Sequence, residues 1–579
     1  MMMSLQPSSK HSIDEHSESN SKRIRIDSSD KTSFSDKMIK SYIKSIIDSL
    51  DNEESLDKMD KLIYKLSLPL SHPESLQTDQ LTAIFSILSS EIGKIDTRKC
   101  HGLIQGLLNV ETKDSDLSTT YCKFLCVLVS ASPKWVVEIV SKLVSRFVEG
   151  NVKLLHDTLK YIISVVPTST NIIQKQLAKK FPNRNDKKKY LVHYVENLLY
   201  VSEYCPQLGL SCWSLIVENC IKLDVELQNE IEEADDEDLE AMEGTEDGDD
   251  NENDSDSASE DDDSDDDEDD ADDFDESVAL DEGPEAIDVA DLSAKLDSIM
   301  MILMKTTDSY FVSSDDKPLI TFNNLISMFR THILPTHYTR VVQYLLFHVT
   351  QYQSELMDSF LVTLIDVAFQ PKEMVSKRIK SMQYLASYMA RAKNVSKSQI
   401  VFIISYLISW IEKYIHEREE EINDGRGMDR FKMFYSVFQS VLYIFCFRYS
   451  SLKTDANTWE CNLDKFFQRV IMSKFNPLKF CNDNVVLIFA RISQEQDICY
   501  CYSIIESNKC ERRKGLTGST SSTNPTTGSG ISWDLTSKQE FSDLAAYFPF
   551  DPLFLRRTAK FISPNYIEWD NHDESDSDY

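Results

Sequence analysis

Glycine scarcity is the feature that most restricts the fold of this chain, which has 14 glycines in 579 residues. Globular proteins carry roughly 7% glycine. Tight hairpins, β-bulges and phosphate-binding loops depend on glycine because it alone enters positive φ freely. The composition therefore argues against sandwich, barrel and nucleotide-binding α/β folds. It predicts an all-α protein.

Apolar residues recur at helical spacing through most of the chain. Three such stripes are Leu81, Ile84, Phe85 and Leu88; Phe124, Val127 and Leu128; and Ile400, Ile404, Leu407, Ile411 and Ile415. Helix-breaking prolines separate the runs of the first half at positions 69, 73, 133, 167, 182 and 206. Runs of one or two helices between breakers predict successive helical hairpins, as in a HEAT-like solenoid.

Acidic residues are concentrated in one segment. Residues 231–276 contain 29 Asp or Glu and no Lys or Arg, so of the formal charge of −35 only −6 is left to the remainder (−35 + 29 = −6). Like charges at this density, with little apolar material, predict a disordered insertion. Strong autonomous DNA binding is disfavoured because phosphate neutralisation needs clustered Lys and Arg.

The polar segments divide the chain into six predicted regions. These are a disordered N-terminus (1–36), N-terminal HEAT-like repeats (37–228), the disordered acidic tract (229–285), C-terminal HEAT-like repeats (286–510), a flexible Gly/Ser/Thr loop (511–532), and a C-terminal cap with an acidic tail (533–579). Within the tract, Ser257, Ser259 and Ser264 each have an acidic residue at +3, the pattern of acid-directed phosphorylation. Any serine in an Asp-rich run meets this pattern, so it is not specific.

Residue patterns typical of catalysis are lacking. Cys122 and Cys126 are spaced as on one helix, and the Cys499–Cys501 pair has no second pair nearby, so no zinc site is predicted. Phosphate-binding, dinucleotide-binding and nucleophile-elbow motifs are not found. We predict no catalytic residues, no metal and no cofactor, hence a protein that is not an enzyme. The apolar stretch 433–447 is too short for a membrane span and predicts a buried helix.

Several longer motifs carry a family resemblance. THILPTHYTR (331–340) is followed by MDSFLVTLIDVAF (357–369), YLASYMARAK (384–393), FNPLKFCNDNVVLIFAR (475–491) and YFPFDPLFLRR (547–557). In this order they resemble the RNA polymerase I-specific initiation factor family, known as TIF-IA in mammals, and its fungal members in particular. The resemblance spans about residues 40–570.

The resemblance implies a nuclear and nucleolar HEAT-repeat phosphoprotein without catalytic activity. Such a factor binds RNA polymerase I at its stalk side and bridges it to core promoter factor at ribosomal DNA, under control of phosphorylation. It also implies a serine-containing polymerase-binding surface on the N-terminal repeats. The matching segments, LVSASPKW (128–135) and VVPTST (165–170), offer Ser130, Ser132 and Ser169. Where a preceding repeat would add serines, the chain has Lys99-Cys100-His101-Gly102 instead.

Other interpretations stay open at this point. The chain could be another nuclear helical-repeat scaffold, such as a transport adaptor or an acidic-tract histone chaperone. Ser130, Ser132 and Ser169 could instead simply cap helices or line turns. Lys22-Arg23-Ile24-Arg25 is a short basic cluster of the kind found in nuclear-import signals, although such clusters are common. Self-association as a homodimer is also left open.

Overall fold

A computed structural model of the chain describes thirteen segments. They are residues 28–48, 53–69, 72–95, 97–110, 112, 114–150, 152–233, 284–312, 317–337, 339–424, 428–454, 458–517 and 547–569. These segments are helical, with no β-strand among them, which confirms the predicted all-α class. Residues 234–283, which form most of the acidic tract, and Lys22–Arg25 lie outside the described residues, whereas the two ends of the tract belong to helices.

The chain divides into two compact units, one of residues 1–146 with 152–176 and one of residues 147–151 with 177–579. The predicted region of repeats at 37–228 is therefore shared between both units. The six region boundaries drawn from the sequence remain predictions.

The first unit is built from short helices that begin and end at turns. They are α1 (Ser28–Asp48), α2 (Glu53–Ser67), α3 (Thr78–Ser90), α4 (Ile92–Ile95), α5 (His101–Leu108), α6 (Ser115–Ala131), α7 (Val136–Ser145), α8 (Lys153–Val165) and the start of α9 (Ser169–Lys179). Helices α1, α3, α6 and α8 pack side by side in that order, and α2, α5 and α7 form a second row. Two rows of antiparallel helices are the architecture that the HEAT-like prediction expects.

The core of this unit follows the apolar stripes. All four residues of the Leu81 stripe are buried, and the Phe85 ring meets Tyr121 and Phe124 at centroid distances of 5.3 and 5.4 Å. Val127 departs from its stripe because it is 38% exposed. It lies on the rim of α6, where the apolar face ends.

The second unit is also built from helices. After the end of α9 its helices are α10 (Lys188–Tyr204), α11 (Pro206–Glu233), α12 (Pro284–Val312), α13 (Lys317–Met328), α14 (Tyr344–Thr350), α15 (Ser354–Phe369), α16 (Val375–Arg391), α17 (Lys397–Arg418), α18 (Lys432–Leu452), α19 (Leu463–Ile471), α20 (Asp483–Glu495), α21 (Tyr502–Thr517) and α22 (Arg556–Ile562). A π-helical turn, Phe329–Ile333, follows α13. Helix α16 packs between α15 and α18, and α18 also packs on α17 and α20.

Helix α18 contains the longest apolar run of the sequence. Its residues from Met433 to Cys446 are all buried in the second unit, as expected for a core helix. None of the described helices has the length and apolar content needed to cross a membrane.

The C-terminal segment 547–569 packs across this core. Phe550 is fully buried, with its ring within 5.9 Å of those of Tyr344, Phe347, Tyr384 and Tyr388. Thr558, at the start of α22, donates its backbone N–H to the Asp297 carboxylate at 2.9 Å. The segment is thus an irregular cap held by aromatic packing and by a carboxylate that caps α22.

Candidate functional site

The predicted polymerase-binding serines lie in the first unit. Ser130 is in the last turn of α6 and its side chain is exposed. Its Oγ donates to the carbonyl of Cys126 at 2.9 Å and lies 2.8 Å from the hydroxyl of Tyr161, in α8. One hydrogen bond between two exposed side chains therefore links neighbouring helices at the surface.

Ser132 forms part of the turn that ends α6. It is only 5% exposed; its N–H donates to Leu128 O at 2.8 Å, and its carbonyl accepts from Trp135 N at 3.3 Å. The following 3₁₀ turn, Pro133–Trp135, buries the indole, whose ring packs 4.8 Å from that of His101. Ser132 thus shapes the turn beside Ser130 and presents little surface to a partner.

Ser169 begins α9 and is fully buried. Its N–H donates to Val166 O at 2.9 Å, while its Oγ has no hydrogen-bond partner in the described part of the chain. A hydroxyl in this position is inaccessible to a partner protein unless the turn opens. The structure therefore brings Ser130 and Ser132 to one helix end and exposes only Ser130.

Tyr161 is a surface residue that the sequence did not single out. The buried side of α8 is Leu155, Leu159 and Ile162, and Tyr161 lies off that stripe at 39% exposure. A tyrosine placed off the apolar face of a predicted helix was the available signal. Its pairing with Ser130 depends on the register of two helices, which periodicity does not give.

Apolar side chains flank this hydrogen bond. Val127 is one turn before Ser130 on α6, and Val165 is one turn after Tyr161 on α8; they are 38% and 41% exposed. We call Val127, Ser130, Tyr161 and Val165 the Ser130 surface. Exposed apolar groups around a few hydroxyls suit protein–protein contact.

The cysteines near this surface are protonated thiols. Burial raises the pKa of the nearby Cys126 thiol to about 11 and also raises that of Cys122, so neither is a thiolate at neutral pH. All 12 cysteines are free, and no group of three His, Cys, Asp or Glu suited to a metal occurs among the described residues.

The predicted phosphorylation sites Ser257, Ser259 and Ser264 lie in the acidic tract, outside the described residues. They remain predictions from the sequence.

A family model described as RNA polymerase I specific transcription initiation factor RRN3 matches residues 32–574. The chain is 42% identical over 570 residues to the RNA polymerase I-specific transcription initiation factor RRN3 of Saccharomyces cerevisiae, covering 93% of this chain and 90% of the relative. It is 28% identical to the factor of the same description from Schizosaccharomyces pombe, covering 88% of this chain and 83% of that one.

A solved structure agrees with these sequence matches. The crystal structure of RNA polymerase I transcription initiation factor Rrn3 superposes with a TM-score of 0.75 at 39% identity, covering 92% of this chain and 98% of the other. The all-α architecture is thus shared with an experimentally determined fold.

Proposed function

Because the chain belongs to the family of RNA polymerase I specific transcription initiation factors, we propose that it acts in transcription initiation by RNA polymerase I. Family membership, shown by the match over residues 32–574, confirms the resemblance first seen in the THILPTHYTR and related motifs. It also confirms that the chain is not an enzyme, since the family is one of initiation factors. A nuclear location follows from this role, and we propose the nucleolus as the compartment.

The Ser130 surface is the proposed polymerase contact. The observation that carries this is the exposed Ser130–Tyr161 hydrogen bond at 2.8 Å between two helices of the first unit, flanked by exposed valines. Neutral hydroxyls can exchange hydrogen bonds with a partner while Val127 and Val165 lose solvent contact. Ser132 and Ser169 act indirectly in this proposal, because their backbones shape the turns on either side.

Phosphorylation is proposed to regulate the contact between the Ser130 surface and the polymerase. A phosphate on Ser130 would esterify the Oγ that meets Tyr161, with loss of the hydroxyl proton, and add about −1.5 to −2 charge to a surface that binds while neutral. Repulsion from an acidic counterpart on the polymerase would then lower affinity. Phosphorylation of Ser257, Ser259 and Ser264 is proposed as a separate modification of the acidic tract.

Bridging is the remaining part of the proposal. One surface of the chain would bind RNA polymerase I at the polymerase's stalk side. A second surface of the chain would contact promoter-bound core factor. Long arrays of helix pairs suit this role, since each pair adds exposed helix faces without changing the core.

Ser130→Asp tests the polymerase contact. We expect at least about a tenfold loss of affinity for purified RNA polymerase I, which corresponds to about 1.4 kcal/mol and is in the range of interface residues that matter for binding. Folding should be retained because the side chain is exposed. Binding is measured by titrating labelled chain with polymerase, and the circular dichroism melt reports folding.

Ser145→Asp is the matched control. Ser145 ends α7 in the other row of helices, and its Oγ donates to Lys142 O at 2.8 Å, much as Ser130 bonds a preceding carbonyl. Equal affinity of the Ser130→Asp chain and the parent would refute the contact. An equal loss in both variants would point to a nonspecific effect of added charge.

A further inference from the structure

In the second unit, α15 and α17 are neighbours at the surface, and we call the strip between their exposed side chains the α15–α17 groove. At one end Gln399 Nε2 donates to Asp358 Oδ1 at 2.6 Å, and at the other the Phe369 ring lies 5.3 Å from the rings of both Tyr406 and Trp410. The contacts advance in the same direction along both helices, so the two helices run parallel. From Asp358 to Phe369 the groove is about 16 Å long, or three helical turns.

Large apolar side chains line this groove and face solvent. Val362 is 62% exposed, Phe402 is 65% exposed and Tyr406 is 40% exposed. Val362 lies one turn after Asp358, and Phe402 lies about one turn after Gln399, so both follow the contacts that join the helices. Exposed aromatic and aliphatic side chains on neighbouring helices are a common feature of protein interaction sites.

The shape of the groove suits a helix. Its walls are two parallel ridges with exposed residues at Asp358, Val362 and Asp366 on α15 and at Phe402 and Tyr406 on α17, followed one turn later by the half-buried Trp410. An amphipathic helix laid between such ridges places residues at i, i+4 and i+7 against them. Three turns of a partner would fill the length.

The charge of the groove determines which kind of partner helix it favours. Helix α15 carries three carboxylates, Glu355, Asp358 and Asp366, and no Lys or Arg. The facing part of α17, residues 399–410, has no charged residue. Arg330 lies 3.6 Å from Asp366 and offsets one of these three negative charges, which leaves two. The net field at the groove is therefore negative.

We propose that the α15–α17 groove binds an amphipathic helix of another protein, with Lys or Arg beside its apolar seam. Asp358 and Asp366 are two turns apart, about 12 Å along α15. The partner's basic residues are accordingly expected seven or eight positions apart. The surface is separate from the Ser130 surface and would serve a second protein contact.

Photocrosslinking of the full chain in cells tests this proposal. p-Benzoylphenylalanine replaces Phe402, whose exposed ring leaves room for the larger side chain. The crosslinked peptide is identified by mass spectrometry. The same substitution at Tyr500, which is 67% exposed elsewhere in the unit, is the control. A second probe at Tyr406 covers failure of the first variant to fold.

The expected result is a crosslink from 402 or 406, absent from 500, to a helical segment with an apolar seam and Lys or Arg at its flank. Asp358→Lys with Asp366→Lys should lower its yield at least about fivefold, as rim charges steer association. Glu506→Lys, at a side chain 69% exposed, should leave it unchanged.

Three outcomes would overturn the proposal: no crosslink above the Tyr500 control, a crosslink to an acidic or non-helical segment, or a crosslink to a second copy of this chain. RNA polymerase I binding, measured on the same variants, separates this from the proposed function. A chain that binds polymerase without the crosslink refutes only the groove.

Discussion

Asp224 is a fully buried carboxylate that organises the turn entering α14. It accepts the backbone N–H groups of Arg340, Val341 and Val342 at 2.9–3.2 Å. Burial raises its pKa to about 6, because the cost of burying the charge outweighs the stabilisation of the carboxylate by these three donors. The THILPTHYTR motif thus ends at a turn fixed by one acid from α11.

The pH dependence of stability is expected to reflect Asp224. Its pKa is about 6 in the folded chain against 3.8 for an unperturbed group, so protonation favours the folded state. Its contribution is fully present below pH 3.8 and is lost as the pH rises through 6. Relative to Asp224→Asn, the parent should lose up to about 3 kcal/mol of unfolding free energy between pH 4 and 7.

Urea denaturation at a series of pH values measures this difference. The same substitution at Asp366, 59% exposed, provides a baseline that should follow the parent. A parent that gains stability over Asp224→Asn as the pH rises would contradict the assignment.

At the scale of elements, Phe550 is the most deeply buried of the aromatic side chains that hold the C-terminal cap. Phe550 is fully buried against four rings, and its N–H donates to Ser387 Oγ at 2.9 Å. In the same segment Phe554 is 42% exposed. The two phenylalanines therefore differ in burial and share their local sequence context.

Phe550→Ala should release the cap. A loss of about 3–5 kcal/mol is expected for a buried phenylalanine, with faster cleavage of 547–569 by protease. Phe554→Ala should leave both stability and cleavage near those of the parent. Limited proteolysis followed by mass spectrometry distinguishes them, and equal cleavage of the two variants would show that Phe550 is not the anchor.

The spacing of apolar residues predicted the helices well, but it did not predict which side chains of neighbouring helices meet. All four residues of the Leu81 stripe are buried, whereas Val127 is exposed because it lies at the edge of the apolar face of α6. The burial of Ser132 and Ser169 depends on how turns pack, and the Ser130–Tyr161 bond depends on helix register. None of these features is encoded in local spacing, so the sequence could not show that Ser130 is the one exposed serine of the three that it predicted.

At the scale of the whole molecule, most of the net charge is separable from the described helices. The tract at 231–276 carries 29 of the net 35 negative charges, yet the family motifs lie outside it. Residues 234–276 can therefore be deleted without shortening α11 (Pro206–Glu233).

Deletion of 234–276 should leave the thermal melt and RNA polymerase I affinity within about twofold of the parent. The physical reason is that the proposed contacts, Ser130 and Tyr161, belong to helices of the first unit. The same variant should bind histones no differently from the parent. Loss of histone binding with the tract would instead favour an acidic chaperone.

The most direct test of an initiation role is promoter-dependent transcription from ribosomal DNA, reconstituted with core factor and RNA polymerase I freed of its own initiation factor. Adding the purified chain should restore specific transcripts, and the Ser130→Asp chain should restore them at least about tenfold less well at limiting concentration. Transcription that is the same with and without the chain would contradict the account.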